Sequence, residues 1–283
     1  MKLGLGDDGS AEVEELLLRI PRRTLLAGLG AGLAGLVLAA CSGPDTAAAT
    51  RGRRARTARV EPTTTLPPPP TTLAVPVTPA TQVATSPIFY VDQFDPQTPP
   101  NSVALTIDDG PSMPYTEQIL GVLSQNGIKA TFCQIGSEVR SYPTLAREVV
   151  AEGHAVCNHS YTHPQPFATM DPMDISTQIL GGLEAIHEVT GATPNTFRSP
   201  GGDWSDVVFE QLAEVGQAPI DWSDDTTDWT QPGTGTITSR LLAARPHDIV
   251  LCHDGGGPRS ETVVALKAAL PVLKARGLTF VTL

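Results

Sequence analysis

Short apolar runs and helical patterns alternate from residue 101 to residue 283, and this alternation restricts the fold more than any other feature of the chain. The runs 103–107, 130–135, 154–157, 196–198, 217–222, 248–252 and 278–283 have the character of buried strands. Helical patterns lie between them, near 114–126, 143–152, 172–190, 205–215, 236–244 and 260–275. Strand-helix alternation implies parallel strands joined by crossover helices. About seven such units predict an α/β fold, a distorted (β/α) barrel of about seven parallel strands, with an open sheet as the alternative. In barrels of this kind the chemistry sits at the C-terminal ends of the strands.

The first hundred residues have a different character. Residues 1–41 contain Arg22-Arg23 ahead of a Gly/Ala-rich apolar run that ends in Leu38-Ala39-Ala40-Cys41. The arginine pair looks like a twin-arginine export signal, and Leu-Ala-Ala-Cys resembles a lipoprotein processing site that would place lipid on Cys41. The apolar run is shorter than the ~20 residues that span a bilayer. Residues 42–99 are rich in Pro and Thr and carry a small arginine cluster at 51–59. Such a segment buries too little apolar surface to fold and is expected to act as a disordered, semi-rigid spacer. Folding is therefore assigned to 100–283, as one domain. Residues 101–283 hold 10 Lys and Arg against 21 Asp and Glu. That balance argues against a nucleic-acid partner and is compatible with a neutral polymer.

Candidate site residues fall where the barrel rule puts them. The first run delivers Asp108 and Asp109 into Gly110-Pro111. Two adjacent carboxylates need a cation or an arginine nearby, although an exposed turn has the same composition. After the third run come His159 and His163, whose spacing on one helical turn would put both imidazoles on the same face. With Asp109 they make two histidines and a carboxylate, a set that leaves a divalent cation an open position for water. Arg198 ends the fourth run ahead of Ser199-Pro200-Gly201-Gly202 and can hold a carboxylate by a forked contact. The fifth run leads into Asp221, Asp224, Asp225 and Asp228, one of which can orient a histidine. The sixth ends in His253, placed as a general acid or base. Cys133, Cys157 and Cys252 read as small buried apolar residues, with a Cys133–Cys157 bridge as a minor alternative.

Taken in order, Thr-Ile-Asp-Asp-Gly-Pro, His-Ser-Tyr-Thr-His, Arg-Ser-Pro-Gly-Gly, Asp-Thr-Thr-Asp-Trp and Leu-Cys-His resemble the polysaccharide deacetylase (NodB-homology) domain over about residues 100–283. The resemblance implies a metal-dependent deacetylase with Asp108 as base, Asp109, His159 and His163 as metal ligands, and Arg198 orienting the base. It further implies that Asp225 supports His253 as the general acid, and that Gly201, Trp229 and Leu251 contact substrate. Two positions depart from the pattern. Gly201 stands where an aromatic residue is usual, which removes a wall of the substrate groove, and Ile107 replaces a common Phe.

The expected activity is removal of N-acetyl groups from a cell-envelope or extracellular glycan, peptidoglycan or another N-acetylglucosamine polymer. The alternatives are an O-acetyl esterase on a polymer such as xylan and a glycan-binding module without catalysis. The expected cation is Zn2+, with Co2+ as the alternative. The chain is expected to be exported, anchored to the membrane through Cys41, and monomeric.

Overall fold

A computed structural model describes residues 83–283, so the export signal, Cys41 and most of the Pro/Thr-rich segment lie outside the described residues. The frame is eight parallel strands: β1 (Ser102–Asp108), β2 (Thr131–Gln134), β3 (Ala155–Asn158), β4 (Thr196–Phe197), β5 (Ala218–Pro219), β6 (Asp224–Asp225), β7 (Ile249–His253) and β8 (Thr279–Val281). Seven of them form the path β5-β4-β3-β2-β1-β7-β6, and β8 pairs with the start of β1. The sheet curls into a half-barrel. The fifth expected run, 217–222, is strand only over β5, and β6 follows it as a strand that was not expected. β5 stops at Pro219, and the chain crosses to the opposite edge to make β6. Residues 220–223 span that seam through single bonds, Ile220 N–H to the Phe197 carbonyl and Ser223 N–H to the Ile249 carbonyl.

Period-two alternation along β1 decides what faces where. Val103, Leu105 and Ile107 point outward into the main core, against α2 (Tyr115–Asn126), α7 (Thr234–Ala243) and α8 (Ser260–Ala275). Ala104 points into the barrel, where it meets Cys133, Cys157, Ile220 and Ile249. Small side chains suit this narrow interior. Thr106 and then Asp108 continue the inward face, so Asp108 arrives at the mouth of the barrel. A third cluster, with Phe167, Ile175, Ile179 and Phe197, lies under α5 (Pro172–Thr190) and α6 (Asp206–Val215). Each such fully buried side chain contributes about 1.5–3 kcal/mol.

Two expectations change, and the reading of the cysteines holds. The spacer does not run to residue 99: α1 (Val91–Phe94) packs on the barrel floor, Val91 is fully buried with Ala104 and Ile220, and Ile88 N–H donates to the Pro219 carbonyl. One turn of helix is too short to leave a periodic signal. Two short helices, α3 (Gly136–Ser141) and α4 (Pro143–Ala151), fill the β2–β3 connection where one was expected. Cys133 and Cys157 are register partners on neighbouring strands but are free, buried thiols, like Cys252.

Candidate active site

The strand register brings the ends of the first and sixth expected runs together. Asp108 sits opposite His253 across the β1–β7 pair and opposite Cys133 across β1–β2. Asp109 then leaves the strand in the left-handed region (φ 76°), a conformation that Asp tolerates better than most residues. The turn is tightly packed against the loop that follows β7. A Cβ on Gly110 would run into the Asp254 carboxylate, and one on Gly255 into the Asp109 backbone. Only glycine permits that approach.

His159 and His163 do converge, but no helical turn does it. Residues 159–163 form a loop in which Ser160 and His163 both have positive φ and the Ser160 hydroxyl accepts the His163 N–H at 3.0 Å. Pro164 directly after His163 removes the N–H that a continuing helix would need. The two rings stand 4.8 Å apart, centroid to centroid. His159 Nε2 and His163 Nε2 lie 3.5 and 3.4 Å from Asp109 Oδ1, and the three ligand atoms fall within 4.8 Å of one another. His159 Nδ1 lies 2.7 Å from the Arg198 carbonyl, which can only accept, so Nδ1 carries the proton and Nε2 is left to bind a cation. Asp109 Oδ1 is buried and has no hydrogen-bond partner among the described residues. An orphaned carboxylate oxygen facing two imidazole nitrogens fits a divalent cation. Burial opposes ionisation of Asp109, but the charge of the nearby histidines, His159 foremost, overcomes it and lowers its pKa.

Arg198 is fully buried beneath Asp108. Its Nη1 donates to Asp108 Oδ1 at 2.7 Å and to Thr106 Oγ1 at 2.8 Å, and Nη2 donates to the Asp221 carbonyl at 2.8 Å. A buried guanidinium is costly unless paired, so these contacts fix both groups in place. Asp108 Oδ2 remains 3.7 Å from His159 Nε2, on the side of the cation site.

The partner of His253 is not Asp225. His253 Nδ1 lies 2.7 Å from Asp228 Oδ1, while Asp228 Oδ2 accepts the His253 N–H at 2.9 Å and the Thr262 hydroxyl at 2.8 Å. Asp225 instead caps its own turn by accepting the Thr227 N–H at 2.7 Å. Thr227, at φ 50°, turns the chain back toward β7 within a 3-10 turn, Asp228–Thr230, and it is this turn that carries Asp228 to the histidine. Four acidic residues within eight positions left the choice open in the sequence. Burial disfavours the His253 cation, but the Asp228 carboxylate outweighs it and raises the pKa above the ordinary histidine value. A proton donor of this kind fails as pH rises through that raised pKa. Asp228→Asn is therefore expected to move the alkaline limb of kcat downward by about 1–3 pH units, and Asp225→Asn to leave it in place. A pH–rate profile of the three proteins checks this.

Asp108, Asp109, His159, His163 and His253 line one cavity of about 970 Å³, which also includes Gly201, Trp229 and Leu251, while Arg198 and Asp228 lie behind its wall. Trp229 is half exposed at its rim. The Gly201 N–H points from the turn Pro200–Gly202 and has no protein acceptor among the described residues. Gln165, Trp222 and Arg259 are lining residues that the motifs did not single out. Only their loop context carries them there.

Known proteins share this arrangement of chain. The sequence profile described as polysaccharide deacetylase matches residues 95–220. A chitooligosaccharide deacetylase from Bradyrhizobium sp. (strain ANU 289) is 41% identical over 189 residues, which cover 62% of this chain and 86% of that relative. The chain belongs to the polysaccharide deacetylase family. A peptidoglycan-N-acetylglucosamine deacetylase from Bacillus cereus is 40% identical over 183 residues, covering 64% of this deacetylase-family chain and 85% of the relative. Among solved structures, the Bc1960 peptidoglycan N-acetylglucosamine deacetylase in complex with 4-naphthalen-1-yl-N-oxidanyl-benzamide superposes with a TM-score of 0.63 at 34% identity, over 65% of this chain and 88% of that one.

Proposed function

We propose that this protein is a zinc-dependent hydrolase that removes N-acetyl groups from an N-acetylglucosamine polymer of the cell envelope. The observation that carries the reading is the single cavity in which Asp109, His159 and His163 converge between two supported groups, Asp108 on Arg198 and His253 on Asp228. The names of the Bradyrhizobium and Bacillus relatives support glycan deacetylation. Two histidines and one carboxylate match the donor set of catalytic zinc and would also accept Co2+.

In this reading Asp109, His159 and His163 hold the cation, which polarises the acetyl carbonyl and acidifies a water molecule when bound. Asp108 Oδ2 takes the proton of the attacking water, and Oδ1 stays on Arg198. The free Gly201 N–H faces the oxygen on which negative charge develops. His253, cationic because of Asp228, donates its Nε2 proton to the departing sugar nitrogen. Amide hydrolysis needs that donor more than ester hydrolysis does, because an amine leaves poorly without it. The same reading includes export by the signal at 1–41 and a lipid anchor on Cys41, with residues 42–87 as spacer. The full chain, stripped of metal and reloaded with zinc, is expected to release acetate from acetylated chito-oligosaccharides and peptidoglycan fragments faster than from acetylated xylan. Expressed in bacterial cells, it is expected in the membrane fraction and to leave it in Cys41→Ser. Zinc-independent release overturns the metal assignment, and acetate from xylan alone overturns the substrate assignment.

A further inference from the structure

Gly201 and Gly202 leave one wall of the cavity without side chains of its own. Gln165 and Trp222 cover that wall from outside. A Cβ built on Gly201 would stand 2.6 Å from Gln165 Nε2, and one on Gly202 would stand 2.8 Å from Trp222 Cη2. Both glycines have positive φ, so the turn is available to them at little cost. The groove wall that Gly201 was expected to remove is thus replaced from another loop, by an amide.

The backbone that carries Gln165 is restricted on both sides. It lies between Pro164 and Pro166, so its own backbone and that of its neighbours have few conformations to choose from. The three-residue bridge 164–166 is anchored at one end by His163 and at the other by Phe167. Phe167 is fully buried against Phe197, with ring centroids 5.8 Å apart. The next residue, Ala168, donates its N–H to Asp203 Oδ2 at 2.8 Å, which ties this loop to the one that carries Gly201. Yet the Gln165 amide makes no hydrogen bond within the described residues and opens into the cavity. An amide carried on a restricted backbone, with both its donor and its acceptor free, is suited to bind a ligand that offers both.

We infer that Gln165 is a specificity-determining residue that hydrogen-bonds the hydroxyl or acetamido groups of the bound glycan along the wall formed by Gly201, Gly202 and Trp222. The inference rests on the glycan-deacetylase reading above. It assigns Gln165 to holding substrate and no part in moving protons. Loss of one neutral hydrogen bond weakens binding about fivefold. With the zinc-loaded full chain and a length series of acetylated chito-oligosaccharides, Gln165→Ala is expected to raise KM about fivefold and leave kcat within about twofold. Affinity for the same acetylated oligosaccharides, measured by calorimetry with Asp108→Asn present in both proteins to block turnover, is expected to fall by the same factor. Unchanged KM and affinity, or a loss confined to kcat, would falsify the inference. The two readings fail separately. Wild-type protein that binds the oligosaccharides and releases no acetate, with binding still weakened in Gln165→Ala, removes the deacetylase and keeps the Gln165 wall. Normal acetate release with no effect of the substitution does the reverse.

Discussion

Asp108→Asn is expected to lower kcat for acetate release by about 10³-fold while the protein stays folded and keeps its cation. Asparagine preserves the shape, and its carbonyl oxygen can still accept from Arg198 Nη1, which lies 2.7 Å from Asp108 Oδ1. What it removes is the oxygen proposed to take the water proton, together with the negative charge opposite a fully buried guanidinium. The second loss has a separate signature. Leaving a buried charge uncompensated destabilises a protein by up to about 3–5 kcal/mol. Here the Thr106 hydroxyl and the Asp221 carbonyl still accept from Arg198, so the expected loss is smaller. It is read as a fall of about 2–4 °C in melting temperature for each kcal/mol. Zinc titration of the variant separates a lost base from a lost cation. Unchanged kcat in a properly loaded variant would remove Asp108 from the reaction.

His159→Ala is expected to have the largest effect on the cation itself. It deletes a buried ligand whose ring is already oriented by the Arg198 carbonyl. Removing an outer partner of a ligand typically costs 10–100-fold in affinity, and removing the ligand is expected to cost more than that. Without a cation, burial disfavours the charged His159 ring, but Asp108 and Asp109 more than reverse this and raise its pKa to about 9. The ring is therefore protonated at neutral pH in the metal-free protein, and a cation must displace that proton to bind. Calorimetry of wild-type protein in buffers of different ionisation enthalpy is expected to show proton release on zinc binding near pH 7. In His159→Ala both the high-affinity binding and that proton release are expected to disappear. Retained tight binding in the alanine variant would move the cation site elsewhere.

The motifs at the strand ends were legible because polar residues there are locally out of place. Asp108-Asp109 after Val103-Ala104-Leu105-Thr106-Ile107, and His253 after Ile249-Val250-Leu251-Cys252, interrupt apolar runs where a strand should stop. The half-barrel followed from the same alternation. Asp228 was not legible as the partner of His253, because several carboxylates precede it and only the turn at Thr227 selects among them. The loop at 159–163 shows a second kind of miss. Its four-residue spacing pointed to proximity through a helix, and the proximity is real, but positive φ at Ser160 and His163 produces it.

The chain by itself determined where the strands and crossover helices fall, because strands buried on both faces read as short continuous apolar runs between helical patterns. It also determined that polar groups would collect at one end of the sheet, since parallel strands all terminate on the same side. Tertiary structure decided the pairings: Asp228 rather than Asp225 against His253, Gln165 against Gly201, and the seam closed by residues 220–223. These depend on contacts between loops distant in sequence. The conformation of each loop is set by a few positive-φ positions and by what packs beneath it, and a local pattern of residues does not encode the neighbour it will meet.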